Sequence, residues 1–531
     1  MSTLRLPLFR SAVSEDRVRR RASPWPYRIV IWGALLLLWQ VLAVTKGPFF
    51  MATPLETLKG IGQLATRDYG PVIFSSLRQF VLGFLLAVAI GIPLGLVMGS
   101  IRAVGDFLST YVSTLFVTPK ETLLPFLIIL FSVGFAYRVA VVVIFSVFII
   151  IMQVSAGVRS VDAGLLEAAR SFRLSKLAIF RKIVLPASAP YTISGIRLGL
   201  GFAIKGMVIA ELWVFSGLGG LVHNFVSFRQ LDLFFALVVV IVGAGVLAIY
   251  ALERLERRVG RSEPGVNVVT VRSGGFWAWD YGGSRVVAVL LRALAVLGFF
   301  GLWELVGRNG DLFAVPPFTE SLQELWTLIS LGDIWRPTLD TLKVAVTGFA
   351  IAAVLGIVVG SLVGLTRIGR TAVKPLVDLG LIAPMTLVIP VLSIYVGIDF
   401  RGKVTLVVLL SMFIIAVNTA AGISSTSSDL IETAAVFGIR GWDAYRKIAL
   451  PHAFPSILTG LRLAVGQALA AALIGDLLLT VRGLGGLLLQ AGDRLNMPQL
   501  LAIVLWVAAL GWALMELARY IDRRLLGWLY T

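Results

Sequence analysis

Residues 165–186 read LLEAARSFRLSKLAIFRKIVLP, and residues 430–451 read LIETAAVFGIRGWDAYRKIALP. Both run Glu-x-Ala, then an aromatic, basic segment, then Leu-Pro. They lie 265 residues apart. The same spacing relates Gly83, Gly91, Gly95 and Gly99 to Gly348, Gly356, Gly360 and Gly364. It also relates Pro119 to Pro384, Pro125 to Pro390, Arg197 to Arg462 and Glu211 to Asp476. So many glycines, prolines and charges in one register mean that the chain is a duplicated unit.

Hydrophobic residues make up 58% of the 531 residues and charged residues 14%. A soluble domain is about 45–50% apolar and about 25% charged, so only a polytopic membrane protein fits. There is no cysteine and there are two histidines, His223 and His452, which excludes thiolate chemistry and a His-rich metal site. Six apolar segments are long enough to span a bilayer in the first half, near 29–46, 76–99, 104–133, 139–158, 195–215 and 234–253. Six more follow near 286–306, 341–364, 370–396, 404–423, 460–481 and 499–518, the first of them carrying Glu304 near one end. The third segment is expected to break at Pro119 and Pro125. The expected fold is all-α, two tandem six-helix units of like orientation, not an inverted repeat.

The expected organisation is a basic cytoplasmic tail (1–28), a first unit (29–253), a linker (254–285), a second unit (286–518) and a tail (519–531). Seven arginines precede the first apolar run and no cleavage site follows it, which reads as an uncleaved first span. With the N-terminus inside, about 28 Lys and Arg fall on the cytoplasmic side and about 10 on the other. The +18 net charge thus reflects basic loops and not nucleic-acid binding. Trp277, Trp279 and Tyr281 suit an interface at the end of the linker.

The loops 159–190 and 424–455 hold the two quoted stretches. In the first, Leu165, Ala169, Phe172 and Phe180 could share one helical stripe. In the second, Asp429 and Glu432 are spaced for a capping box; Gly164 leaves the first copy without one. An amphipathic helix resting on the membrane is one reading of each loop. Recurrence in one register favours a structure presented twice to the cytoplasm.

Glu167-Ala168-Ala169 with Leu185-Pro186 resembles the EAA loop of permease subunits in binding-protein-dependent ABC importers. Glu432-Thr433-Ala434, Gly438 and Leu450-Pro451 resemble a second copy. The flanks, Leu82-Gly83-Phe84, Pro119-Lys120, Leu124-Pro125 and Ala210-Glu211 with Gly217-Leu218-Gly219, are similar to the nitrate/sulfonate/taurine branch. The resemblance implies two fused permease units in a prokaryotic inner membrane. Each loop would carry a coupling helix docking on one of two cytoplasmic ATPase subunits, with Glu167 and Glu432 at the contact. Leu-Pro would close the loop before the fifth helix. It further implies a periplasmic or lipoprotein solute-binding protein and a small anionic or zwitterionic solute. ATP-Mg would belong to the partner ATPases; no cofactor, catalytic residue or metal site is expected in this chain.

Three departures stand out. The family glycine six residues after the Glu is Gly438 in the second copy but Arg173 in the first. Arg holds φ > 0 only at a cost, so the first loop is expected to turn differently. Lys120 is matched by Met385, and Glu211 by Asp476.

Ionisable residues inside membrane helices, here Lys120, Glu121, Lys205, Glu211 and Asp476, each cost about 2.5–3.5 kcal/mol near a helix centre. With Pro119, Pro125, Pro384 and Pro390 they are candidates for a translocation path or gate; structural ion pairs are the alternative. Lys205 and Glu211 lie about 240° apart round a helix, so each needs a partner elsewhere. The glycines at spacing four suit close helix packing. Gly217–Gly220 and Gly483–Gly486 follow no strand, and no G-x-x-x-x-G-K-[ST] occurs, so nucleotide binding is not expected here. A twelve-helix transporter driven by an ion gradient, with Glu211 and Asp476 as ion sites, leaves the duplicated loops unexplained.

Overall fold

The computed structural model describes residues 25–48, 50–66, 69–259, 285–310, 315–480 and 482–525. The basic tail up to residue 24, most of the linker with its Trp and Tyr residues, and the last six residues lie outside the described residues. Among the described residues all regular structure is helical, and its order repeats from one half to the next. Ten helices are long and apolar enough to cross a membrane, and two further segments qualify as bent pairs.

The bends sit where the prolines predict them. Proline disfavours the helical region for the residue before it. Thr118 (ψ 131°) and Ala383 (ψ 133°) are accordingly extended. A 3₁₀ turn follows each break, Lys120–Leu123 and Met385–Val388. Helices Leu124–Phe131 and Ile389–Tyr395 then restart with Pro125 and Pro390 in the first turn, where a missing N–H costs nothing. The two limbs meet at 89° in the first half and 88° in the second.

The glycine stripe decides whether each bent pair crosses the membrane. A Cβ on Gly83, Gly91, Gly95 or Gly99 would strike Val142, Ile150, Val154 or Val158, always 59 residues further on. Gly348, Gly356, Gly360 and Gly364 face Val407, Ile415, Thr419 and Ile423 at the same interval. Constant spacing means that helices Gly70–Ser100 and Phe135–Arg159 run parallel, as do Trp335–Leu365 and Phe400–Ser424. The chain between two parallel helices must return to the starting side. Each bent pair is therefore a broken span, and the described residues hold twelve.

Helix Lys176–Trp213 runs back antiparallel, with Tyr191 against Gly157 and Ile150 against Gly199. It starts about twenty residues before the apolar segment near 195, because its first turns are polar and basic. The quoted loops thus lie at one end of the molecule. The short helices Gly217–Ser227 and Gly483–Asp493 lie at the other.

The halves interlock. Helix Trp25–Lys46 packs on the second half at Gly369–Val373, and helix Arg285–Asn309 packs on Arg102–Val117 of the first. Arg292 pairs with Asp106 at 3.2 Å, and the Tyr111 hydroxyl donates to the Ala295 carbonyl. One core cluster joins Leu124, Tyr137 and Ile209 to Ile389, Leu406 and Ile474 across the seam. Helices Pro54–Thr66 and Phe318–Leu331 were not foreseen from the apolar segments. Each is anchored by a tryptophan: Trp39 donates to the Ala52 carbonyl and Trp303 to that of Pro316, both at 2.9 Å. The Glu304 carboxylate accepts from the Thr319 N–H in the first turn of the second one.

Candidate functional site

Each loop begins with a nine-residue helix, Ala163–Ser171 and Ser428–Val436. Their caps are not the expected ones. Asp162 accepts from the Leu165 N–H at 2.9 Å, and Ser427 from the Asp429 N–H at 3.2 Å. These two caps are again 265 apart, so both copies are capped. Asp429 falls inside the first turn, where its charge suits the helix dipole, and forms no capping box with Glu432.

Ala169 and Ala434 are buried (4% and 5% exposed) and fix each helix to the molecule. Ala169 packs with Val158, Ile179 and Val184. The expected stripe is split, because the chain turns at Arg173. Phe180 packs with that inner cluster, whereas Leu165 and Phe172 face outward. Glu167, Ala168, Glu432 and Thr433 are exposed. Around them Phe172 (81% exposed) and Phe437 (78%) stand free.

The turns after the two helices are alike, against expectation. Arg173 takes φ 55° and Gly438 φ 79°. The Arg173 N–H bonds the Arg170 carbonyl and the Leu174 N–H that of Ala169; Gly438 and Ile439 do the same with Ala435 and Ala434. This paired cap satisfies the last carbonyls of the helix, which holds Arg173 in the left-handed region despite its side chain. Leu185-Pro186 and Leu450-Pro451 do not close the loops. They sit inside continuous helices, after π-turns Phe180–Val184 and Tyr445–Ala449.

At the opposite end Glu211 and Asp476 are fully buried. Glu211 Oε2 accepts from the N–H groups of Leu218 (2.7 Å) and Gly219 (3.3 Å), and Ser76 Oγ also accepts from Leu218 (3.1 Å). Arg138 lies 3.9 Å from Oε1. In the second half Lys403 Nζ is 2.6 Å from Asp476 Oδ1, and Thr341 Oγ1 donates to Oδ2 at 2.5 Å. Thr341 Oγ1 in turn accepts from the Leu484 N–H at 2.9 Å. Asp is one methylene shorter than Glu, and the threonine hydroxyl bridges the gap. A Cβ on Gly217 or Gly483, both at φ > 0, would fall 2.3 or 2.2 Å from the carboxylate. Each acid thus clamps a short helix by its N-terminus. Arg138 and Lys403, and Ser76 and Thr341, keep the 265 spacing; that register could have revealed them.

Lys120, Glu121 and Lys205 are brought together beside the break in the first half. Lys120 donates to the Phe116 carbonyl at 3.2 Å. Its Nζ lies 5.2 Å from the Phe116 ring centre and 5.8 Å from that of Phe202; Lys205 Nζ lies 5.7 Å from Phe202. Pro119 and Pro125 approach Gly511 and Gly492 of the second half, so the break is seated on the seam. The second break, at Pro384, contacts helix Leu185–Trp213 in return.

A duplicated, all-helical membrane protein with paired loops at one end is the architecture of a transport permease. The family model for the binding-protein-dependent transport system inner membrane component matches residues 91–261 and again 352–527, and the chain belongs to that family. It holds two such units. A probable ABC transporter permease of Brucella melitensis biotype 1 is 28% identical over 245 residues, 46% of this chain and 99% of that protein. The taurine transport system permease protein TauC of Escherichia coli is 28% identical over 260 residues, 48% of this chain and 93% of TauC. The bicarbonate transport system permease protein CmpB of Synechococcus elongatus is 26% identical over 268 residues, 48% of this chain and 95% of CmpB.

Proposed function

We propose that this chain is the complete two-unit permease of an ABC importer for a small anionic or zwitterionic solute. Two cytoplasmic ATPase subunits hold ATP-Mg and dock on helices Ala163–Ser171 and Ser428–Val436. A solute-binding protein docks at the opposite end, and the N-terminus is cytoplasmic. The names of TauC and CmpB support the solute class. The observation that carries the reading is the pair of matched loops, each a buried alanine bearing an exposed Glu and an exposed phenylalanine.

When the ATPases close, each loop is pushed as a rigid knob, because its helix is capped at both ends. The motion passes through the π-turn into helices Lys176–Trp213 and Trp442–Leu478, which reach the far end. There Glu211 and Asp476 tie those helices to the short outer ones. Lys120, Glu121 and Lys205, at the broken span, line the path; unwound backbone at membrane depth is tolerated where it lines a cavity. In Glu167→Lys and Glu432→Lys proteins, binding-protein-stimulated ATP hydrolysis and uptake should fall at least about tenfold with normal membrane insertion. Unchanged stimulation in both would refute the docking assignment.

A further inference from the structure

The two halves differ at the break in a way that bears on the solute. The Phe202 ring lies within 6 Å of both ammonium groups, and it meets Phe116 edge-on at 6.2 Å. The Glu121 carboxylate is close enough to interact electrostatically with both lysines. None of the three forms a salt bridge within 4 Å among the described residues, although Lys120 and Glu121 are only 8% exposed. Two cations and one carboxylate leave one positive charge uncompensated at membrane depth, where isolated charge is costly. The phenyl rings offset part of that cost by cation–π attraction.

The second half has none of this. The residues 265 positions after Phe116, Lys120, Glu121, Phe202 and Lys205 are Leu381, Met385, Thr386, Gln467 and Ala470. Backbone and break are kept while every charge and ring is replaced. Folding of the broken span therefore does not require the cluster.

We infer that Lys120 and Lys205, with Glu121 and Phe202, form a single binding site for a small monovalent anion, present in the first half alone. This rests on the permease reading and deepens it. One solute is held per transporter. Lys120 and Lys205 supply charge-assisted donors to its anionic group. Glu121 limits the net charge of the site to one, which disfavours a dianion.

The test uses the full chain in lipid nanodiscs, titrated with sodium methanesulfonate or its neutral isostere dimethyl sulfone at constant ionic strength, with thermal unfolding as readout. Methanesulfonate should stabilise the wild type saturably and dimethyl sulfone should not. Lys120→Met and Lys205→Ala, which install the second half's residues, should each weaken the half-saturating concentration by about tenfold or more. Lys120→Arg should retain the effect. An equal shift in the lysine variants, or no methanesulfonate shift in the wild type, overturns the site. Binding-protein-stimulated ATP hydrolysis, measured on the same proteins with the ATPases added, separates the two claims. If hydrolysis is stimulated and the anion shift is absent, only the site is wrong. A chain that never engages the ATPases refutes the permease reading itself.

Discussion

Asp476 shows what a single buried charge does in this molecule. It neutralises Lys403, orients Thr341 and, through that hydroxyl, holds the Leu484 N–H. Removing it strands a buried ammonium, a loss of about 3–5 kcal/mol. Asp476→Ala should therefore lower the thermal unfolding midpoint strongly, and adding Lys403→Met should restore a large part. Glu211→Ala should cost less, since Arg138 is 3.9 Å away and partly exposed. Strictly additive effects of Asp476→Ala and Lys403→Met would argue against the clamp. The two acids were visible in the sequence because charge is rare in membrane helices. Their partners, 135 and 73 residues away on other helices, are marked in the sequence only by the 265 register and not by proximity. The left-handed turn at Arg173 is illegible in the sequence for a related reason. The cost of φ > 0 is local, whereas the two cap hydrogen bonds that outweigh it become visible only once the helix end is in place.

At the scale of elements, the prolines and glycines were the legible signals. A proline fixes its own φ and biases its predecessor toward extended ψ, so a break at Pro119 was legible in the sequence. Glycines at spacing four announced close packing; which helix they meet, and that it runs parallel, required the fold. Helices Pro54–Thr66 and Phe318–Leu331 escaped notice because 13 and 14 residues with a polar face fall below any spanning window. The parallel packing makes a topological prediction. The chain lacks cysteine, so single reporters are clean. Gly70→Cys, Ser132→Cys and Ser227→Cys, all exposed, should be labelled by an impermeant thiol reagent from one side of the membrane, and Ser171→Cys only from the other. Labelling of Gly70→Cys from the Ser171 side would turn the bent pair into a re-entrant loop and reduce the count of spans.

For the whole molecule, duplication within one chain is what permits the halves to diverge. Two identical subunits must share every residue, whereas here Lys120 is matched in register by Met385, and Glu211 by Asp476. The loops keep one geometry through that divergence: caps at 162 and 427, buried alanines at 169 and 434, and left-handed residues at 173 and 438. Two-fold closure of a pair of ATPases would require such equality. The repeat, the membrane class and the loops were all legible in the sequence, since a fixed spacing of glycine, proline and charge survives without any structure. The side-by-side fit of the halves was not, because it depends on the first helix of each unit crossing to pack on the other. If one chain supplies both permease units, native mass spectrometry of the complex, gently extracted together with the ATPases proposed for it, should find one copy of this chain with two ATPase subunits; two copies of this chain, or one copy with a single ATPase, would contradict it.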